Sequence, residues 1–311
     1  MFNAFSNALG VSPRPLVAAL CLAFPWAVQA GTVAGNLKAE GDYYQLPVTQ
    51  TYGPSASAYT GSVNFTKPSY PNSVAQASLS SDGAGHFAAG VQTSHDLVYD
   101  PGTVKSSAHV SFVDTLVNST GVSQAANFGL AINQLSFAMN SGWMGDNRAS
   151  FNARVYVGSA VDPVWQSTVS LSGSSNYSGG RWTPVVDPEL TTGGTTPFTF
   201  NASGATYLND RQGYSYTYSL AAPYATTLAL GNVAAGDSLS VRYEIDLYAE
   251  SYAYGGSVSV LFDDPAHLNA GPGATAALTW AQPVPEPEMA SLLMAGLGLV
   301  GGVAARRRRK S

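Results

Sequence analysis

Three pairs of carboxylates stand close enough in this chain to suggest acid and base work on a glycosidic bond: Asp187 with Glu189, Glu244 with Asp246, and Asp263 with Asp264. Each has a plainer explanation. Asp187-Pro188-Glu189 and Asp263-Asp264-Pro265 have the composition of turns, and Glu244 and Asp246 lie two residues apart on the wet face of a strand. Other hydrolase signatures are missing: there is no Gly-x-Ser-x-Gly elbow, no His-Glu-x-x-His, and no motif that places a Ser, a His and an Asp together. The expectation is a protein that is not an enzyme.

Metal chemistry is no better supplied. His86, His95, His109 and His267 are scattered without ligand spacing, the nearest approach to a set being His86 and His95 with Asp82 or Asp96. Calcium held by loop oxygens is a second reading, from Asp146 and Asn147 after Gly145 or from Asp263 and Asp264. Neither matches the EF-hand loop, and turn chemistry explains both more economically. No other cofactor is expected. Tyr214, Tyr216 and Tyr218 alternate, so their rings project from one face of a strand, where an exposed row would stack on sugars. Tyr248, Tyr252 and Tyr254 gather near an expected hairpin tip, and Trp143, Trp165 and Trp182 cannot be placed from sequence. The plainer reading of the Tyr row, and the preferred one, is packing between sheets, since Tyr is a good strand former. Ice binding would need Thr at regular repeats, and Thr191, Thr192, Thr195 and Thr196 occur once, in a Gly-rich stretch.

The elements that must hold these residues are strands. From Ser238 to Glu250, Leu239, Val241, Tyr243, Ile245, Leu247 and Ala249 alternate with Ser240, Arg242, Glu244, Asp246, Tyr248 and Glu250, which is one long strand with a buried and a wet face. Ala253 to Ser257 supplies turn chemistry, and Val258, Val260 and Phe262 resume the alternation, so a hairpin is expected. The same pattern recurs at 109–117, 129–138, 150–158, 167–171, 197–201 and 213–220, with Gly, Ser, Asn or Pro in nearly every gap. Residues 173–180, 190–196 and 267–275 are expected as mobile loops. No internal repeat appears. Many short strands with no capped helical period predict an all-β, antiparallel β-sandwich or jelly-roll-like ectodomain over 31–280.

The two ends differ in kind from this body. Residues 1–30 carry a positive flank at Arg14, an apolar run from Leu16 to Trp26 and an Ala-x-Ala-like site at Ala27 to Ala30, so a signal peptide cleaved before Gly31 is expected. Such a segment would pass through the Sec export machinery. Cys21 is the chain's only cysteine, and Leu20 before it departs from a lipoprotein site. Cleavage after Ala30 would leave no thiol and no disulfide. At the other end, a Pro/Glu linker over 281–288 contains Val284, Pro285, Glu286 and Pro287. An apolar stretch of 17 residues, Met289 to Ala305, follows, then Arg306, Arg307, Arg308, Arg309 and Lys310. The stretch sits at the lower edge of the roughly 17–25 residues that cross a bilayer as a helix, and the basic cluster over 306–311 holds that end in the cytoplasm. Gly296, Gly298 and Gly301 reproduce a dinucleotide-fingerprint spacing, but inside an apolar span they serve close helix packing.

This order of signature, span and basic stop resembles the PEP-CTERM sorting tail of Gram-negative bacteria. The resemblance implies processing by an exosortase, an integral membrane protease that acts near the signature. It also implies a membrane-anchored precursor and delivery of the mature form to the envelope or an exopolysaccharide. It is an address and leaves the cargo's activity open. A plain membrane anchor is the alternative, disfavoured because Pro285 and Pro287 hold an extended, helix-free approach to the span. Between Gly31 and Pro285 the chain carries eight Lys/Arg and 17 Asp/Glu, a formal net charge of −9, which argues against nucleic acid and anionic lipid as partners. The resulting expectation is an exported, noncatalytic surface or biofilm-matrix protein, with a lectin-like carbohydrate-binding module as the alternative and an unfamiliar polysaccharide hydrolase behind both.

Overall fold

The computed structural model describes residues 29–41, 46–55, 57–67, 70–82, 86–95, 102–141, 145–175, 177–178, 181–182, 186–208, 212–252, 256–262 and 274–280. In chain order the strands are β1 (Gln29–Gly41), β2 (Val48–Ser55), β3 (Tyr59–Lys67), β4 (Tyr70–Ser81), β5 (His86–His95), β6 (Thr103–Val117) and β7 (Gln124–Ile132). They continue as β8 (Ser136–Ser141), β9 (Gly145–Val157), β10 (Trp165–Ser175), β11 (Tyr177–Ser178), β12 (Arg181–Trp182) and β13 (Val186–Gly194). The last six are β14 (Phe200–Leu208), β15 (Gln212–Leu220), β16 (Tyr224–Val233), β17 (Ser238–Tyr252), β18 (Gly256–Phe262) and β19 (Ala274–Trp280). Every pairing is antiparallel, and no helix occurs among the described residues.

Two large sheets result. One has seven strands in the order β13-β10-β9-β17-β6-β1-β2; the other has ten, with β14-β15-β8-β18-β5-β19-β7-β16 on one path and β4 and β3 leading off β5. β11 and β12 form a separate ribbon. The expected all-β sandwich is the observed fold, and its strands alternate because each gives one face to the other sheet. On β17, Val241, Tyr243, Ile245, Leu247 and Ala249 are at most 1% exposed while their neighbours in sequence reach the surface. β6 repeats this with Val104, Ala108, Val110, Phe112 and Leu116.

The sheets meet where β4 lies over β1 and β6, β5 over β6 and β17, and β18 over β9 and β17. There Phe87 and Tyr243 have ring centroids 5.7 Å apart, Phe128 meets Tyr243 edge-on at 6.1 Å, and Phe151 meets Phe262 at 5.6 Å. Tilted and edge-on rings at such distances each add about 0.5–1.5 kcal/mol beyond the area they bury. In the ten-stranded sheet, β18 and β19 follow one another along the line beside β5, as β8 and β7 do along the next line and β15 and β16 along the third. The gaps in the latter two, 133–135 and 221–223, stand side by side, bridged by the Leu220 amide donating to the Leu135 carbonyl at 2.9 Å.

Several sequence expectations are corrected. The hairpin expected after the long strand is a crossing between sheets: β17 belongs to the seven-stranded sheet and β18 to the ten-stranded one. Crossing lets two strongly apolar strand faces bury each other, which adjacent strands of one sheet cannot do. The single strand expected over 129–138 is divided into β7 and β8. The strand at 197–201 begins at Phe200 and runs to Leu208, with Phe198 buried ahead of it. Residues 190–194, expected in a loop, close β13, and 173–175 close β10. In the loop expected over 267–275, residues 274–275 open β19 and the rest lies outside the described residues. The signal segment 1–28 also lies outside them. β1 pairs regularly with β6 from Thr32 onward, one residue past the expected cleavage point at Gly31.

The core yields a stability prediction. Tyr243 is fully buried and its hydroxyl has no hydrogen-bond partner among the described residues. Tyr243→Phe is expected to leave stability unchanged or raise it by about 1 kcal/mol, because it removes an unsatisfied polar group at little cost in shape. Phe151→Ala should cost about 3–5 kcal/mol. Denaturant unfolding midpoints of the two variants check both signs.

Candidate functional site

The outward side of the seven-stranded sheet gathers the charged residues. β17 supplies Arg242, Glu244, Asp246 and Glu250, β6 supplies Lys105 and His109, and β9 supplies Arg148 and Arg154. Cross-strand register sets Asp246 opposite His109, Glu244 opposite Arg154 and Glu250 opposite both Lys105 and Arg148. Asp246 is the hub. Its Oδ1 lies 2.7 Å from His109 Nδ1 and its Oδ2 lies 2.5 Å from Arg154 Nη2. With the ionised carboxylate as acceptor, Nδ1 is the protonated ring nitrogen. The hydrogen bond to Asp246 raises the His109 pKa, with partial burial and Arg154 opposing.

The same face continues this pairing outward. Arg242 Nε lies 2.9 Å from Glu244, and its guanidinium sits 4.5 Å above the Tyr156 ring. Tyr248 donates to Glu250 at 2.7 Å, and Lys105 stands 3.7 Å from the other oxygen of Glu250. Glu244 and Asp246 are therefore each engaged with a cation on a sheet surface, instead of facing one another across a cleft. The other carboxylate pairs fare differently. Asp187-Pro188-Glu189 is part of edge strand β13 and not a turn, and an edge is where a sheet tolerates proline. Asp263 and Asp264 lie outside the described residues.

The Tyr214, Tyr216 and Tyr218 rings do share one face, and it is the inner one. Tyr214 is 0% and Tyr218 9% exposed, and Tyr216 packs partly buried against the core with its ring stacked on Tyr218. This is the packing between sheets preferred from the sequence, and the alternative of an exposed sugar-stacking row does not hold for these rings. Two of the hydroxyls act as struts between the sheets: Tyr218 donates to the Pro188 carbonyl of β13 at 2.8 Å, and Asn147 of β9 donates to the Tyr214 oxygen at 3.3 Å. Trp165 is likewise internal, stacked on Tyr224 and donating to its hydroxyl at 3.2 Å. Tyr252 remains exposed. Trp143 and Tyr254 lie outside the described residues.

The histidines and the proposed calcium ligands also separate. His86 is bonded to Asp82 at 2.7 Å on the surface, while His95 is buried. His267 lies outside the described residues. Asp146 and Asn147 are successive residues of β9, so the first faces solvent and the second is buried between the sheets, and they do not converge on one ion. Among the described residues no set of three His, Cys, Asp or Glu side chains is placed to hold a metal ion.

Sequence patterning did not reveal the buried polar groups. Thr93 and Ser251 hydroxyls meet across the sheets at 2.8 Å. Asn118 donates to the carbonyls of Val122 and Val233, each at 2.8 Å, and accepts from Thr120, tying the β6–β7 and β16–β17 connections together. Asp114 is buried, which raises its pKa, while the amides of Thr115 and Leu278 donate to it and oppose that shift. These residues occupy inward positions in ordinary alternation, and only their polarity distinguishes them.

A difference in charge separates the two sheets. The strands of the seven-stranded sheet contain thirteen Asp, Glu, Lys and Arg residues, whereas those of the ten-stranded sheet contain one, Lys67 at the end of β3.

The body is thus an antiparallel β-sandwich in which nearly all the ionic residues borne by the strands of the two large sheets belong to one of them. Beyond its last strand, residues 283–309 match the family model described as the PEP-CTERM protein-sorting motif. No curated protein matches the chain. The motif covers Val284, Pro285, Glu286, Pro287 and the Arg306 to Arg309 run; Lys310 follows directly. All of these, and the expected span 289–305, lie outside the described residues. The motif marks an exported precursor, anchored in the membrane and sorted by an exosortase toward the envelope.

The Asp246 hub makes a pH prediction. A raised folded-state pKa for His109 means that its contribution to stability is full below the ordinary histidine value of about 6.5 and is lost as pH rises through the folded value. Asp246→Asn should move the His109 titration midpoint down toward the ordinary value and flatten the change of stability with pH in that window. Ring-proton NMR titration of His109 in both proteins checks it; an unmoved midpoint would contradict the assignment.

Proposed function

We propose that this chain is a noncatalytic structural protein of the cell surface or exopolysaccharide matrix, exported through the Sec machinery and released into that setting by an exosortase. The observation that carries the reading is the PEP-CTERM motif at 283–309, beginning three residues after β19 ends at Trp280. So short a connection puts the Pro285-Glu286-Pro287 signature immediately beyond the folded body, where processing would separate sandwich from span and leave every described strand intact. The arrangement of the body supports a structural role. Glu40, Glu244, Asp246 and Glu250 on the charged sheet's outer face are held in ion pairs, and the Tyr214, Tyr216 and Tyr218 rings turn to the inside of the sandwich.

A second reading, a carbohydrate-binding sandwich, draws support from the nearly uncharged strands of the ten-stranded sheet. A hydrolase has no such support, since Glu244 and Asp246 face solvent side by side on one strand.

Processing is tested by Pro285→Ala combined with Pro287→Ala. The variant is expected to accumulate as uncleaved precursor in the inner-membrane fraction, and the parent protein to appear at the surface or in the medium. Equal distribution of the two in a cell fractionation would replace the sorting reading with a plain anchor.

A further inference from the structure

The ten-stranded sheet presents a broad outer surface of uncharged residues, mostly hydroxyls, amides and small side chains. Across its strands the register aligns Asn64, Gln76, Gln92, Ser259, Ala138, Thr217 and Ser203 in one row. An adjacent row includes Val74, Ser94, Ser257 and Asn140, and the row on the other side includes Ser62, Ser78, Gly90, the exposed Leu261 and Ser136. Into this surface, over β4 and β5, opens a groove of about 290 Å³ lined by Asn72, Val74, Gln76, Gln92 and Ser94. Gln76 and Gln92 are directly opposed and exposed.

We infer that this groove binds a segment of neutral polysaccharide. A carboxamide offers two donors and an acceptor, which matches a sugar hydroxyl that must both give and receive a hydrogen bond. Val74 adds an apolar patch for the sugar's C–H face, and shallow concavity suits an extended polymer. The absence of charge is what selects the ligand class. A neutral glycan laid over a charged sheet would strip water from ions and return only neutral partners, a cost that amides and hydroxyls avoid. An anionic glycan would find no cation in the groove, and a body carrying a net charge of −9 between Gly31 and Pro285 would repel it. This site is distinct from the Tyr214, Tyr216 and Tyr218 row, which lies on the inner face of the same sheet.

The inference rests on the matrix reading for where the glycan is met, but its test needs no cell. Full-length protein in mild detergent is run by affinity electrophoresis through gels containing dextran, mannan or galactan, with polygalacturonate as the anionic comparison. Retardation by at least one neutral polymer is expected, with an affinity insensitive to added salt. Gln76→Ala with Gln92→Ala should weaken it about tenfold or more while leaving the thermal unfolding midpoint unchanged, as befits exposed residues. Gln92→Glu should weaken it likewise, and Glu250→Gln on the opposite sheet should not. No retardation by any neutral polymer, retention by the double variant, or retardation confined to polygalacturonate and abolished by salt would overturn the inference. The Pro285→Ala and Pro287→Ala protein should bind like the parent, so failure of sorting and failure of binding are told apart.

Discussion

Face-to-face burial between the two sheets is the constraint on which the molecule depends. The sole cysteine, Cys21, precedes the first strand, and no helix among the described residues offers an alternative core. Cohesion must therefore come from apolar area and ring contacts where the two sheets face one another. That requirement explains the strict alternation of β17 and β6, the crossing from β17 to β18, and the withdrawal of the Tyr214 and Tyr218 rings from solvent. It also accounts for polar groups such as Thr93 with Ser251 and Asn147 with Tyr214 meeting partners from the opposite sheet, with the Tyr243 hydroxyl as an exception. An unpaired polar group there would cost about 1–3 kcal/mol.

Once the inner faces are committed, function is left to the outer ones, and these differ in kind. The seven-stranded sheet carries a lattice of cross-strand ion pairs centred on Asp246. Such exposed pairs contribute little individually to stability, at most about 1 kcal/mol each. Their arrangement keeps opposite charges adjacent, so that an acidic surface does not repel itself along β17. The ten-stranded sheet carries hydroxyls, amides and methyl groups instead. A body with one ionic and one neutral face suits the hydrated-polymer setting proposed for it.

Much of the fold was legible because β17 alternates large apolar with mostly charged residues, and β6 and β9 alternate apolar with mainly polar ones. The β1 to β5 region was not, because its inward positions are filled by Ala75, Ala77, Ala89 and Gly35 as often as by Leu37 or Phe87, and a small residue gives little contrast against Ser or Thr. Turn composition misled at two places. Asp187-Pro188-Glu189 is tolerated in a strand because β13 is an edge, and Ala253 to Ser257 marks a change of sheet, a choice that depends on which face each strand buries. The Tyr row was read correctly as sharing one face, but alternation alone does not say whether that face is inner or outer. The tail was readable for a different reason: its order of Pro-Glu-Pro, apolar span and Arg run is a linear signal that needs no folded context.

Intact-mass measurement with terminal peptide mapping, on protein recovered from the native cell surface and medium, bears most directly on the claim that this sandwich is released from its span by processing at the Pro-Glu-Pro signature. A chain beginning near Gly31 and ending near Pro285 is the expected result. A chain still carrying Arg306 to Lys310 would contradict it and place the sandwich at the inner membrane as a permanently anchored domain.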